Sequence, residues 1–225
     1  MTPSVLDITL RTLRVAFEST FFACAMGLPI GAWLGLTRAR GRRALVSVFN
    51  AGLRVPPVAL GYVLWLLLWP NSLWGGGPLA GLDWIYTLNA VILAQTLLAL
   101  PVVVALTTAA VQSVPAGLID QARALGARGP ALGTLALREG RTGVMAAVIA
   151  ALGTATASVG AVVVVGSTLG SATLASAALS AWNQGGDDSR AIAYGLVLLG
   201  LFLVLAAVLT FLQQQRRTRW LPVRS

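Results

Sequence analysis

The sequence predicts an all-α fold, a polytopic membrane helical bundle of about five transmembrane helices in a single domain over residues 1–225. Three observations predict it. Hydrophobic residues make up 57% of the chain and charged residues only 10%, a balance far from that of soluble globular domains. Five apolar runs, near 12–36, 44–69, 85–112, 142–166 and 190–212, each reach the roughly 20 residues that a helix needs to cross the hydrocarbon core. Twelve of the sixteen basic residues, all of them arginine, fall on one side of those runs.

Span one begins behind Arg11 and Arg14 and contains the small segment Ala23-Cys24-Ala25, which would suit a signal peptide. Glu18 interrupts the stretch and the apolar run continues to Leu36, so an uncleaved span is expected. Glu18 lies four residues after Arg14, where a helix brings the two together. Gly27, Gly31 and Gly35 recur every four residues, a seam along which another helix can approach closely. Cys24 is the sole cysteine, which excludes an intrachain disulfide and fits a small buried filler.

Span two carries Pro56-Pro57, which should break or kink it. Freed backbone groups are tolerated at membrane depth only where buried in protein or lining a cavity. Pro56, Pro57 and Gly61 therefore either shape a pathway or form a structural kink. Arg54 is the eleventh residue of the same run; it either meets a partner, water or an anion, or snorkels to the surface. A turn-rich loop runs from Pro70 through Gly77 to Pro78, and Trp65, Trp69, Trp74 and Trp84 gather around it as an interfacial aromatic belt. In span four, Thr154, Thr156 and Ser158 with Gly153 and Gly160 either pack a helix closely or donate hydrogen bonds to a passing anion. The stretch 171–182 is apolar but short, which suits a re-entrant or interfacial helix rather than a sixth span, and the polar break Asn183 to Asp188 precedes span five.

Arginine position decides the orientation. Arg38, Arg40, Arg42 and Arg43 follow span one, Arg123, Arg128, Arg138 and Arg141 follow span three, and Arg216, Arg217, Arg219 and Arg224 follow span five. The positive-inside rule then places the N-terminus outside and the C-terminus in the cytoplasm, with Asp187 and Asp188 outside. The net charge of +9 is thus topology rather than a nucleic-acid footprint. With no lysine, the chain cannot carry a phosphate-binding P-loop, and with no histidine it excludes histidine metal sites and histidine acid–base catalysis.

The segment of about 113–141 between spans three and four has helical grammar of its own. Pro115 can open a helix, Leu118, Ala122 and Leu125 fall at i, i+4 and i+7, and Gly126 can close it. A second helix can start after Gly129-Pro130, with Leu132 and Leu135 on its apolar side and Arg138, Glu139 and Arg141 returning the chain to the membrane surface. Such a hairpin either lies packed on the bundle or docks a cytoplasmic partner.

Asp120-Gln121-Ala122-Arg123-Ala124-Leu125-Gly126-Ala127 resembles the coupling loop of ABC-importer permeases, whose pattern runs Glu-Ala-Ala, three residues, then Gly. Asp120 stands for the Glu and Gln121 for the first Ala, while Ala122 and Gly126 match. Thr12-Leu13-Arg14-Val15, Gly27-Leu28-Pro29-Ile30-Gly31, Val55-Pro56-Pro57-Val58-Ala59-Leu60-Gly61, Ala94-Gln95-Thr96-Leu97-Leu98-Ala99-Leu100-Pro101 and Ser158-Val159-Gly160-Ala161-Val162 resemble the permeases of tungstate importers, related to those for molybdate. Those relatives usually carry Glu at the place of Ser158 and Gly-Asn at the place of Ser167-Thr168. The resemblance implies a type I ABC importer permease architecture in a bacterial or archaeal inner membrane, acting as a homodimer. It also implies an ATPase subunit holding ATP and Mg, and an extracytoplasmic substrate-binding protein. No catalytic residue, metal or cofactor is expected in this chain. Asp120, Gln121, Ala122 and Gly126 would meet the ATPase. A stand-alone channel or secondary transporter and a membrane scaffold are the rival classes; that only Glu18 and Arg54 are candidates for an ion-coupling group in the membrane weighs against proton coupling.

Overall fold

Helix α1 (Val5–Leu36) opens on a capping box, in which the Ser4 hydroxyl accepts from the Asp7 N–H at 3.2 Å and the Asp7 carboxylate accepts from the Ser4 N–H at 3.1 Å. Two of the donors that a helix start leaves orphaned are thereby satisfied. The computed structural model describes residues 4–37, 39–70, 78–166, 171–183 and 188–218. The loop residues 71–77 with Trp74, the pair Ser167-Thr168, Asp187, and Arg38, Arg219 and Arg224 lie outside the described residues.

The glycine repeat of α1 is its contact with α4 (Leu88–Gln112). A Cβ on Gly27 would lie 2.7 Å from Val103, on Gly31 2.7 Å from Thr107, and on Gly35 2.6 Å from Val111. Both sets of partners advance by four residues together, so the two helices run parallel in a fixed register. The Thr108 hydroxyl, donating to Val104 O at 2.7 Å, also reaches Gly31 O at 3.3 Å. Helix α4 is buried on several faces, from Ala90 and Val91 through Gln95 and Ala99 to Val111, as befits the central helix of a bundle. Arg14 and Glu18 pair at 2.6 Å, as their spacing predicts.

The expected span 44–69 is not one helix. It divides into α2 (Arg42–Gly52) and α3 (Pro57–Leu68), whose axes differ by 102°. Pro56 and Pro57 lack N–H donors and disfavour helical backbone in the residue ahead of them, so the ladder stops there and α3 restarts with Pro57 in its first turn. The hairpin helices are α5 (Ala116–Ala124) and α6 (Pro130–Glu139), and α6 turns by 85° into α7 (Arg141–Ala157). The expected span 142–166 is likewise divided, because α7 stops at Ser158-Val159 and α8 (Gly160–Val165) follows. Helices α9 (Leu174–Asn183) and α10 (Asp188–Thr218) complete the described chain.

Helices α1, α4 and α10 are each long and apolar enough to cross a membrane, and the bent pairs α2–α3 and α6–α7 bring the candidate spans to five. With 10 residues, α9 covers only about 15 Å, too little for a sixth crossing. Its first turn is tied to α1, where the Leu174 N–H donates to Thr12 Oγ1 at 2.9 Å and Leu174 packs with Ile8. Trp65 and Trp69 stack at 5.1 Å, Tyr86 meets Trp69 edge-on, and the Trp65 indole N–H donates to the Tyr86 hydroxyl at 3.1 Å. Trp65 and Trp69 of the predicted aromatic belt are thus joined in a bonded cluster with Tyr86, whereas Trp84 packs against the apolar core.

Gly31→Leu should separate α1 from α4 and lower the apparent melting temperature of the purified protein in detergent, an overpacking cost of about 1–3 kcal/mol. Gly153→Ala, whose new Cβ would meet nothing nearer than Phe202 at 3.5 Å, should melt with the parent.

Candidate translocation pathway and coupling surface

The α5–α6 hairpin is held by an apolar cluster in which Val114, Ile119 and Ala122 meet Ala32 of α1, Val111 of α4, and Leu132 and Ala136 of α6. Ala122 is buried there, whereas Asp120, Gln121 and Gly126 are exposed. The predicted coupling residues therefore divide into one anchor and three surface positions. Helix α5 closes with the Ala127 N–H donating to Ala122 O at 2.9 Å and the Gly126 N–H donating to Arg123 O at 3.0 Å. Gly126 has φ +90°, a left-handed value that a Cβ disfavours, so glycine is required by the helix end itself. Leu125 departs from the predicted apolar face and is 90% exposed. It lies past the last helical residue, where helical periodicity no longer directs side chains, and Ile119 takes the buried place.

The other predicted residues collect where two spans are broken. Helices α3 and α8 both begin at a break and run side by side. A Cβ on Gly160 would lie 2.5 Å from Val58, and one on Gly61 2.9 Å from Val164. Gly61 is thus a close-packing residue of this pair, and Pro57 forms part of the contact with Gly160. The far end of α8 is closed by the Tyr86 N–H, which donates to Val165 O at 2.9 Å. Arg54 lies in the turn between α2 and α3, exposed, and its guanidinium has no hydrogen-bond or ionic partner among the described residues. It therefore does not sit eleven residues deep in a continuous helix.

A residue outside the predicted set holds the second break. Gln95 of α4 is 1% exposed; its amide donates to Ser158 O at 2.9 Å, and the Ser158 hydroxyl donates back to Gln95 Oε1. The carbonyl freed where α7 ends thus finds a buried partner on another helix, as membrane burial demands. A lone glutamine in the middle of an apolar span is the sequence signal for it. Thr154 donates to Ala150 O at 2.9 Å, and Thr156 lies 3.0 Å from both Leu152 O and Gly153 O. The hydroxyl protons of Thr154, Thr156 and Ser158 are thus engaged within the fold, whereas the guanidinium of Arg54 has no partner among the described residues.

Gln95→Leu should leave two polar atoms of Ser158 unpartnered and destabilise the protein by about 1–3 kcal/mol. In a double-mutant cycle with Ser158→Ala, thermal melts in detergent should show the two substitutions to be non-additive by roughly 0.5–3 kcal/mol.

Residues 27–218 match the family described as binding-protein-dependent transport system inner membrane component. The chain is 36% identical over 206 residues to a probable anion ABC transporter permease protein of Haloferax volcanii, covering 88% of this chain and 86% of that one. It is 29% identical over 214 residues to a tungstate uptake system permease protein of Peptoclostridium acidaminophilum, covering 95% and 92%. In three dimensions it is similar to a chain of the MetNI methionine ABC transporter, with TM-score 0.76 and 21% identity over 94% of this chain and 95% of that one. The chain thus shares its helical fold with that transporter chain, and it belongs to the family of binding-protein-dependent transport system inner membrane components.

Proposed function

We propose that this ABC-importer permease subunit carries a tetrahedral oxyanion, tungstate with molybdate as the nearest alternative, as a homodimer. In this reading the N-terminus faces outside and the α5–α6 hairpin faces the cytoplasm, where the ATPase subunit holds ATP and Mg. An external binding protein delivers the anion. The observation that carries the substrate class is Arg54: an exposed guanidinium, unpaired among the described residues, at the break just ahead of Pro57 and Val58, the residues of α3 that meet Gly160 at the start of α8. Helix starts carry positive dipole ends, and in membrane transporters the starts of broken helices recur at anionic substrate groups. A fixed cation with no carboxylate to neutralise it attracts an anion, while exposure keeps that attraction weak enough for release. The names of the relatives, an anion permease and a tungstate permease, point the same way.

Pro56, Pro57 and Gly61 then keep the α2–α3 break open beside α8, and Thr154, Thr156 and Ser158 form the wall of the pathway rather than its ligands, because their protons stay within the fold. Asp120, Gln121 and Gly126 present the surface that meets the ATPase, and Ala122 passes its movement into the bundle through Ile119, Val111 and Ala32.

Uptake of labelled tungstate into vesicles holding the permease, its ATPase and the binding protein tests the reading. Arg54→Ala should lower uptake by roughly tenfold or more, a barrier change of about 1.4 kcal/mol, and Arg54→Lys should recover most of it. Undiminished uptake by Arg54→Ala, or uptake that persists without the ATPase, would overturn the proposal. Gly126→Leu should leave insertion intact and sever ATP hydrolysis from uptake; normal coupled uptake in that variant would remove the hairpin from the mechanism.

A further inference from the structure

The last four carbonyls of a helix have no donor within the helix. At the end of α1 two of those carbonyls are taken by arginines from different elements. Arg42, the first residue of α2, donates from Nε to Leu34 O at 2.7 Å. Arg123 of α5 donates from Nη2 to Leu36 O at 3.5 Å while its Nη1 holds Asp120 Oδ1 at 3.1 Å. Both cations stand where the negative end of the helix dipole favours them. Together with Gly35, Gln112 and Asp120 they line a cleft of about 400 Å³ between the ends of α1 and α4 and the hairpin.

This placement matters because α2 has no buried side chain of its own. At its far end Gly52 rests against Pro101 of α4, where a Cβ would lie 3.0 Å away, and the next residues form the bend that carries Arg54. At its near end α2 is fixed through Arg42 to the same helix terminus that α5 grips through Arg123. We propose that Arg42 and Arg123 form a latch on the end of α1 that passes displacement of α5 to α2, and through it to the bend at 53–56. The latch rests on the reading of α5 as the ATPase-docking helix. Both arginines are positioning residues: each acts through the carbonyls of α1 rather than on the solute. Asp120 pairs with Arg123 at 3.1 Å, so the residue at the docking surface is tied to the one that reaches Leu36 O.

The test uses the reconstituted complex of permease, ATPase and binding protein, with ATP hydrolysed per tungstate transported as the readout. Arg42→Ala and Arg123→Ala should each raise that ratio by roughly fivefold or more, the lower end of ordinary coupling between sites. Arg123→Lys, which keeps a cation within reach of Leu36 O, should return most of the coupling. The double variant should be no worse than the more affected single one, because both break one connection. A helix cap that is merely structural would lower hydrolysis and uptake together at an unchanged ratio, and that result overturns the latch. If Arg42→Ala does not assemble, Arg42→Met, which keeps the apolar length of the side chain and loses the donor to Leu34 O, should assemble with the raised ratio; a parental ratio there overturns the latch equally. Gly126→Leu in parallel separates the two readings: uncoupling by Gly126→Leu without any effect of the arginine variants removes the latch alone, whereas no effect of Gly126→Leu removes the docking reading beneath it.

Discussion

The close approach of α1 to α4 is the contact on which the rest of the bundle depends. Apolar surface gains little by leaving lipid for another helix, so packing in a membrane relies on small residues that let backbones touch. Gly27, Gly31 and Gly35 supply that along three successive turns of α1, meeting Val103, Thr107 and Val111. The register so fixed makes α4 the reference axis for everything else. At one level α4 offers Gln95 to the end of α7, at another Pro101 to the end of α2, and at its last turn Val111 to the hairpin.

Against that rigid pair, the two broken spans solve a problem of backbone chemistry. A carbonyl or N–H released at membrane depth costs several kcal/mol unless it finds a partner inside the protein. At the second break the partner is Gln95, a neutral amide that serves Ser158 both as donor and as acceptor. At the first break the chain uses proline, which has no N–H to satisfy. Neutral polar groups of the broken region are therefore spent on the fold, and the charge that remains unengaged among the described residues there is Arg54. In the proposed function, a pathway built this way would attract an anion through that exposed cation without trapping it in a cage of donors.

The hairpin shows the same economy at the arginine-rich end of the bundle. Its inner face is a small apolar cluster shared with α1 and α4, while its outer face carries Asp120, Gln121 and the glycine-dependent turn at Gly126. Two helix ends that would otherwise present bare carbonyls are closed here. The end of α5 is closed by its own backbone at Ala127, and the end of α1 by Arg42 and Arg123. Surface, cap and core are thus three layers of one short segment.

The sequence by itself determined the fold class, the positions of the apolar runs, the glycine seam, the Arg14–Glu18 pair, the hairpin between spans three and four and its Gly126 stop. Each follows from local periodicity, local spacing or the conformational limits of a single residue. It also located the proline break in span two, since proline acts on its own turn, though not the 102° between α2 and α3. The break in span four was invisible to periodicity, because Ala157-Ser158-Val159-Gly160 contains no residue that must end a helix; a partner 63 positions away, Gln95, makes the break affordable. The place of Leu125 outside the apolar face, the burial of Ile119 in its stead, and the arginine caps on α1 were likewise decided only when helices remote in sequence came together. Hydrogen bonds and packing between such elements depend on register and crossing geometry, and no spacing within one helix encodes those.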